Sequence, residues 1–312
     1  MSDLDAHIPV LAREAFDALA VQADGLYIDA TFGRGGHTAL ILGALGPEGR
    51  VLAFDRDPAA IEAGHRRFPD EVRLALVGAP FADIAARVPE LFPGRAVRGI
   101  LFDLGVSSPQ LDDAARGFSF RQDGPLDMRM DPTSGEPVSA WLARASEPEI
   151  REVIAELGEE RFARRIASQI VATRTASPLT TTLQLADLVS RAVRTREPGK
   201  HPATRTFQAL RMFVNDELGQ LRTALAAALE LLAVGGRLAA ISFHSLEDRI
   251  VKQFIQVHST VDPVYAGLPL IPESAQPRLK RIGTKTRAGQ AELAANPRAR
   301  SSVLRVAQKV RT

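Results

Sequence analysis

Residues 26–37, Leu-Tyr-Ile-Asp-Ala-Thr-Phe-Gly-Arg-Gly-Gly-His, constrain the fold more than any other part of the chain. A short apolar run leads through Gly33, Gly35 and Gly36 into a helical pattern. That is the form of the first strand, turn and helix of a doubly wound α/β sheet. Apolar runs at 50–54, 72–77 and 97–104 read as strands two to four, each separated by enough chain for a crossover helix. A fifth strand is expected at 237–243, and the alternating run 302–307 suits an edge strand.

Between these segments the period changes. Ser146-Glu147-Pro148-Glu149 is a capping box ahead of Ile150, Val153, Ile154 and Leu157, with Gly158 as the stop. Phe162, Ile166 and Ile170 mark a second helix, and Leu185, Leu188, Val189 and Val193 a third. Turns are expected at Ser177-Pro178 and Glu197-Pro198-Gly199. From Thr206, apolar residues step by three or four as far as Leu232 and predict one long amphipathic helix, ended by Gly235-Gly236. The expectation is one α/β domain, residues 1–108 and 204–312, interrupted by an all-helical insertion at 109–203.

In a doubly wound sheet the ligand lies beyond the carboxyl ends of the strands. The glycine turn falls there, and glycines leave room for a cofactor to approach the backbone, although a tight structural turn would use them too. The run Val51-Leu52-Ala53-Phe54-Asp55 ends in an acid 20 residues after Gly35. A carboxylate there can accept hydrogen bonds from both ribose hydroxyls of an adenosine cofactor. A dinucleotide site wants a third glycine where this chain has Thr38. Asp29, four residues before Gly33, would repel a pyrophosphate but can orient an ammonium, or else cap the turn. A cationic nucleoside without phosphate fits best, and S-adenosylmethionine is such a compound. A nicotinamide-dependent oxidoreductase is the first rival, disfavoured by the broken fingerprint.

The fourth strand ends Phe102-Asp103-Leu104-Gly105 and runs into Val106-Ser107-Ser108-Pro109-Gln110. By the strand-end rule Asp103, Ser108 and His244, the last following the fifth strand, project toward the reactive end of such a cofactor. Methylation of an exocyclic nucleobase amine needs alignment more than acid-base power, because the lone pair is delocalised into the ring, and acceptors near the amine can supply it. His244 can act as acceptor or relay, or be a satisfied structural histidine.

The net charge of +2 conceals polarisation. Residues 112–160 carry 5 basic and 12 acidic side chains, residues 161–211 carry 10 and 2, and residues 278–312 carry 10 and 1. The two basic stretches suit a polyanion such as RNA, or are solvated faces. The absence of cysteine excludes disulfides, thiolate metal sites and a cysteine nucleophile, and fits a reducing compartment. The 6 histidines show no pair at ligand spacing, so no metal is expected. The first residues lack a secretory pattern, and the most apolar window, 223–242, is broken by Glu230, Arg237 and a glycine pair. A cytoplasmic protein without a membrane span is expected.

The chain resembles the bacterial 16S rRNA cytosine-N4 methyltransferases of the RsmH or MraW family. The resemblance rests on 7–10, 27–37, Phe54-Asp-Arg-Asp-Pro58, 102–112, Arg116-Gly-Phe-Ser-Phe120, 123–131 and 242–249, in order along nearly the whole chain. It implies a class I S-adenosylmethionine-dependent methyltransferase domain, Rossmann-like, with an inserted helical substrate-recognition domain. It also implies cofactor contacts at Gly35, Gly36, His37, Asp55, Phe81, Asp103 and Gln110, with Phe81 beside the adenine. The implied reaction is methyl transfer to N4 of a specific cytidine in the decoding centre of 16S rRNA, in the small ribosomal subunit. The basic stretches would then hold phosphates while the base is unstacked into the pocket. A second rival is a non-catalytic RNA-binding assembly factor with the same fold.

Overall fold

The computed structural model describes residues 9–193, 199, 201–265 and 268–312. His7 and the expected Glu197-Pro198 turn lie outside the described residues. The chain divides into two compact units, Met1–Gly105 with Leu218–Thr312, and Val106–Glu217.

The first unit is built on seven strands: β1 Leu26–Asp29, β2 Arg50–Asp55, β3 Leu74–Gly78, β4 Val97–Asp103, β5 Leu232–Ser242, β6 Leu279–Thr286 and β7 Val303–Lys309. Their order is β3-β2-β1-β4-β5-β7-β6. Strands β1 to β5 pair in parallel, whereas β7 is antiparallel to both β5 and β6. Alternate residues feed two cores: Leu52, Phe54, Ile100, Phe102, Leu238 and Ala240 face one, and Val51, Ala53, Leu101, Ala239 and Ile241 the other. A parallel sheet buried on both faces reads as continuous apolar runs, which is why these strands were legible.

The C-terminal edge differs from expectation. The run taken for an edge strand is β7, which lies between β5 and β6. The true edge is β6, with sequence Leu-Lys-Arg-Ile-Gly-Thr-Lys-Thr and mostly exposed side chains. Its charge hides the strand signal, and charge is how edge strands avoid pairing with other chains.

The second unit contains the helices Ser108–Asp112, Val138–Arg144, Glu147–Gly158, Ala163–Ala176, Thr182–Ala192 and Thr204–Val214. They enclose a separate core around Phe118, Trp141, Ile154, Ile166, Leu188 and Phe207. The capping box forms as the sequence indicates, with Ser146 and Glu149 bonding reciprocally to each other's backbone N–H.

Two details are corrected. The periodic stretch from Thr206 is two helices, Thr204–Val214 and Glu217–Leu231, so the second unit extends to Glu217 rather than to residue 203. The break is made by Asn215, buried, whose Nδ2 donates to the carbonyls of Met128 and Arg211 at 2.8 Å and whose Oδ1 accepts from Met130 N at 2.8 Å. Asp216 then takes a left-handed conformation with φ 46°. Gly158, for its part, does not supply the left-handed stop; Glu159 does, with φ 48°. Gly158 is small because the helix Thr204–Val214 lies against it: a Cβ there would stand 2.8 Å from the Arg205 carbonyl oxygen. Among the described residues no helix is long and apolar enough to cross a membrane.

Candidate active site

The strand order reverses at β1, whose neighbours are β2 and β4, and the loops leaving such a point diverge and open a crevice. Each of these three strands ends in an aspartate: Asp29, Asp55 and Asp103. The first unit therefore collects three carboxylates at one end of its sheet, and the glycine turn follows the first of them.

Asp55 holds the turn. Its Oδ2 accepts the Gly33 N–H at 2.8 Å and its Oδ1 accepts the Asp57 N–H at 2.9 Å. Asp57 in turn caps the helix Pro58–Arg67, accepting from Ala59 N at 3.0 Å, with Pro58 at the first helical position. Burial pushes the Asp55 carboxyl up to about 6, against the lowering effect of the two backbone donors. Each oxygen spends one lone pair inside the protein and keeps acceptor capacity for a further donor.

Asp29 is fully buried. Its Oδ1 accepts from Thr31 N at 3.2 Å and its Oδ2 from the Thr38 hydroxyl at 2.6 Å. Burial raises its pKa, opposed by His37 and Thr38. Both oxygens thus serve the turn, as the capping alternative has it, and each keeps acceptor capacity for a further donor. Thr38, the residue that breaks the dinucleotide fingerprint, ties the end of β1 to the helix Gly36–Ala44. Thr38→Val keeps the shape and strips Asp29 of that donor, so the unit should lose about 1–3 kcal/mol in urea unfolding. An unchanged midpoint would remove this bond from the account.

Asp103 and His37 face each other. His37 Nε2 lies 3.4 Å from Asp103 Oδ2, an ion-pair distance too long and too poorly aligned for a well-formed hydrogen bond. Burial pushes the imidazole down, but Asp103 and then Asp29 outweigh it, so the pKa of His37 is raised. The other Asp103 oxygen, Oδ1, is buried without a hydrogen-bond partner among the described residues, as is His37 Nε2. Thr31, which sequence reasoning missed, clamps this pair: its Oγ1 accepts the Asp103 N–H at 2.6 Å, joining the ends of β1 and β4.

The glycines are small for different reasons. Gly33 has φ 57°, and a Cβ would meet nothing nearer than the Thr31 carbonyl oxygen at 4.0 Å. Gly35 has φ 71°, and its Cβ would stand 2.7 Å from the Phe32 ring and 2.8 Å from Phe68. A Cβ on Gly36 would touch Pro9 at 3.0 Å. Of the three, only Gly33 faces open space; Gly35 and Gly36 are pressed by the protein itself, as in a tight structural turn.

Phe81 begins the short helical turn after β3 and stands edge-on to Phe102, with ring centroids 5.8 Å apart and planes at 84°. It is half-buried, with one side packed on the core. His244 caps the helix Ser245–Ser259, its Nδ1 accepting from Glu247 N at 3.4 Å, and its Nε2 lies 3.0 Å from Glu247 Oε1. Although it lies near Glu247 Oε1, His244 Nε2 is buried and makes no hydrogen bond among the described residues. Ser108 and Gln110 belong to the second unit. There Gln110 closes a capping box with Ser107, its Oε1 accepting from Ser107 N at 2.9 Å, and Ser108 is the first residue of the capped helix.

The described residues thus offer a carboxylate with spare acceptor capacity beside an open glycine and a buried carboxylate oxygen that lacks a donor. Such a set suits a nucleoside that brings hydroxyl groups and a positive charge.

Comparison with known proteins agrees with this chemistry. Residues 5–310 match the model of the MraW methylase family. A protein of Azoarcus sp. (strain BH72), named ribosomal RNA small subunit methyltransferase H, is 55% identical over 304 residues, covering 97% of this chain and 96% of that one. A Dechloromonas aromatica protein of the same name is 54% identical over 311 residues, covering 99% and 100%. The crystal structure of an rRNA methylase from Streptococcus thermophilus superposes at a TM-score of 0.44 with 14% identity, covering 98% and 100%. The chain's sheet is Rossmann-like and doubly wound, and on the family match and the two near full-length relatives the chain belongs to the MraW methylase family.

Proposed function

We propose that this protein transfers the methyl group of S-adenosylmethionine to the N4 amine of a cytidine in 16S rRNA, leaving N4-methylcytidine and S-adenosylhomocysteine. The observation that carries the reading is the match of residues 5–310 to the family model, together with near full-length relatives named as small-subunit rRNA methyltransferases. The small ribosomal subunit is the partner this implies, and the bacterial cytoplasm the place.

When bound, S-adenosylmethionine supplies a methyl group activated by a positive sulfur. The chain's own residues do the rest. Asp55, as the anion, accepts from the ribose hydroxyls, and Gly33 leaves the backbone open beside it. Phe81 offers its free side to the adenine. Gly35 and Gly36 shape the turn, and His37, whose pKa is raised chiefly by Asp103, faces that carboxylate near the donor. Gln110 completes the cofactor contacts.

Asp103 Oδ1, buried and without a partner among the described residues, is suited to accept an N–H, and in that way to hold an amine with its lone pair aimed. Ser108 is the second orienting group in this reading. His244 takes part through Nε2, which lacks a hydrogen-bond partner among the described residues. The helical unit Val106–Glu217 is proposed to recognise the RNA.

The test is labelled transfer. Small-subunit particles from a strain lacking this protein are incubated with the pure protein and methyl-labelled S-adenosylmethionine, and the RNA is digested to nucleosides. Label in N4-methylcytidine is the expected result. Labelled RNA with the methyl on another atom removes the N4 assignment, and unlabelled RNA favours an assembly factor that keeps the fold.

A further inference from the structure

The sheet edge of the first unit carries cations that the fold does not neutralise. Lys252 on the helix Ser245–Ser259, and Arg281 and Lys285 on β6, line one hollow together with Gln256, Gly283 and Arg305. All three cations are exposed. Among the described residues none of them has a hydrogen-bond or ion-pair partner, and the acids that would supply one are engaged elsewhere. Asp248 is taken in a bidentate pair by Arg305, at 2.6 and 2.9 Å. Glu247 is buried against His244. The one acid of residues 278–312, Glu292, accepts the Leu11 N–H at 2.7 Å.

The backbone contributes as well. Ile282 pairs with Val306 and Thr286 with Leu304, so four steps along β6 oppose two along β7. The surplus is a bulge at residues 283–285, opened by Gly283 in a left-handed conformation with φ 64°. A bulge bends the strand and re-aims its side chains, and here it leaves Lys285 in the same hollow as Arg281 and Lys252. Like charges gathered without partners gain nothing for the fold, and repel one another. An anion with several oxygens removes that cost.

We propose that this bulged edge is a seat for the phosphodiester backbone of the RNA substrate, with Lys252, Arg281 and Lys285 as its contacts. The inference rests on the RNA methyltransferase reading and names where the chain grips phosphate outside the catalytic crevice. Charge complementarity selects a polyanion. Arg305, held by Asp248, sets the floor of the hollow.

Binding of a 16S rRNA transcript is measured by filter retention for the wild type, for the triple variant Lys252→Gln/Arg281→Gln/Lys285→Gln and for each single variant. Affinity for S-adenosylmethionine is measured calorimetrically on the same samples. Three lost contacts flatten the salt slope, so between about 50 and about 200 mM salt the wild type should lose about 20- to 40-fold more affinity than the triple variant. Each single variant should account for about threefold of that. S-adenosylmethionine affinity stays at the wild-type value. A wild-type slope in the triple variant overturns the seat and leaves the RNA reading intact. A wild type that does not bind the transcript at low salt overturns both. If the triple variant loses its fold, the three exposed single substitutions decide by the same slope.

Discussion

Asp55→Ala is expected to lower the affinity for S-adenosylmethionine by about 10²- to 10⁴-fold, on the footing that hydrogen bonds to a charged group contribute ~1.5–3 kcal/mol each and two ribose hydroxyls lose their acceptor. The same substitution releases the Gly33 and Asp57 N–H groups that Asp55 holds at 2.8 and 2.9 Å, so part of the loss is disorder of the turn. Asp55→Asn separates the two effects. It keeps the size and one acceptor oxygen while removing the charge, and should lie between alanine and the wild type. Calorimetric titration at neutral pH measures all three; equal affinities would end the ribose assignment.

The same carboxylate makes binding depend on pH in a defined direction. Burial raises its pKa to about 6, so the folded protein keeps this proton at pH values where the unfolded chain has lost it. From this group alone, stability falls as pH rises from roughly 4 through about 6, because there the folded state binds more protons than the unfolded one. Ribose hydroxyls prefer the anion. Affinity should therefore weaken as pH falls below about 6, and the dependence should flatten in Asp55→Asn.

The sequence made the first unit's parallel strands legible because burial on both faces leaves unbroken apolar runs at 51–54 and 99–102. The capped helix at Glu147 was legible for a different reason: its signal is local, four residues that satisfy each other. What failed depended on distant partners. Nothing near Asn215 announces that its amide will bond Met128 and Met130, so the helix beginning at Thr204 ran on in the reading. Strand β6 was missed because an exposed edge needs no apolar residues. Within the candidate site, residue types at strand ends were readable and pairings were not. Thr38 looked like a missing glycine, although the run Asp55-Arg56-Asp57-Pro58 did carry the signature of a capped helix start.

Gly33 and Gly35 stand two residues apart, share a left-handed backbone, and should respond to alanine in opposite ways. At Gly35 the new methyl meets the rings of Phe32 and Phe68 at 2.7 and 2.8 Å. The left-handed conformation costs ~1–2 kcal/mol and forced overpacking a further ~1–3 kcal/mol, so Gly35→Ala should lose about 2–5 kcal/mol of stability. Gly33→Ala carries only the first of these, since its methyl points into open space. If that space is the approach of the cofactor, Gly33→Ala should fold at a cost of ~1–2 kcal/mol and yet bind S-adenosylmethionine far more weakly than its stability would suggest. Urea unfolding and calorimetric titration of both variants settle the matter. Wild-type affinity in Gly33→Ala would mean that the turn is a packing device at both positions. Wild-type stability in Gly35→Ala would mean that the Phe32 and Phe68 rings yield, and that the glycine is there for its conformation alone.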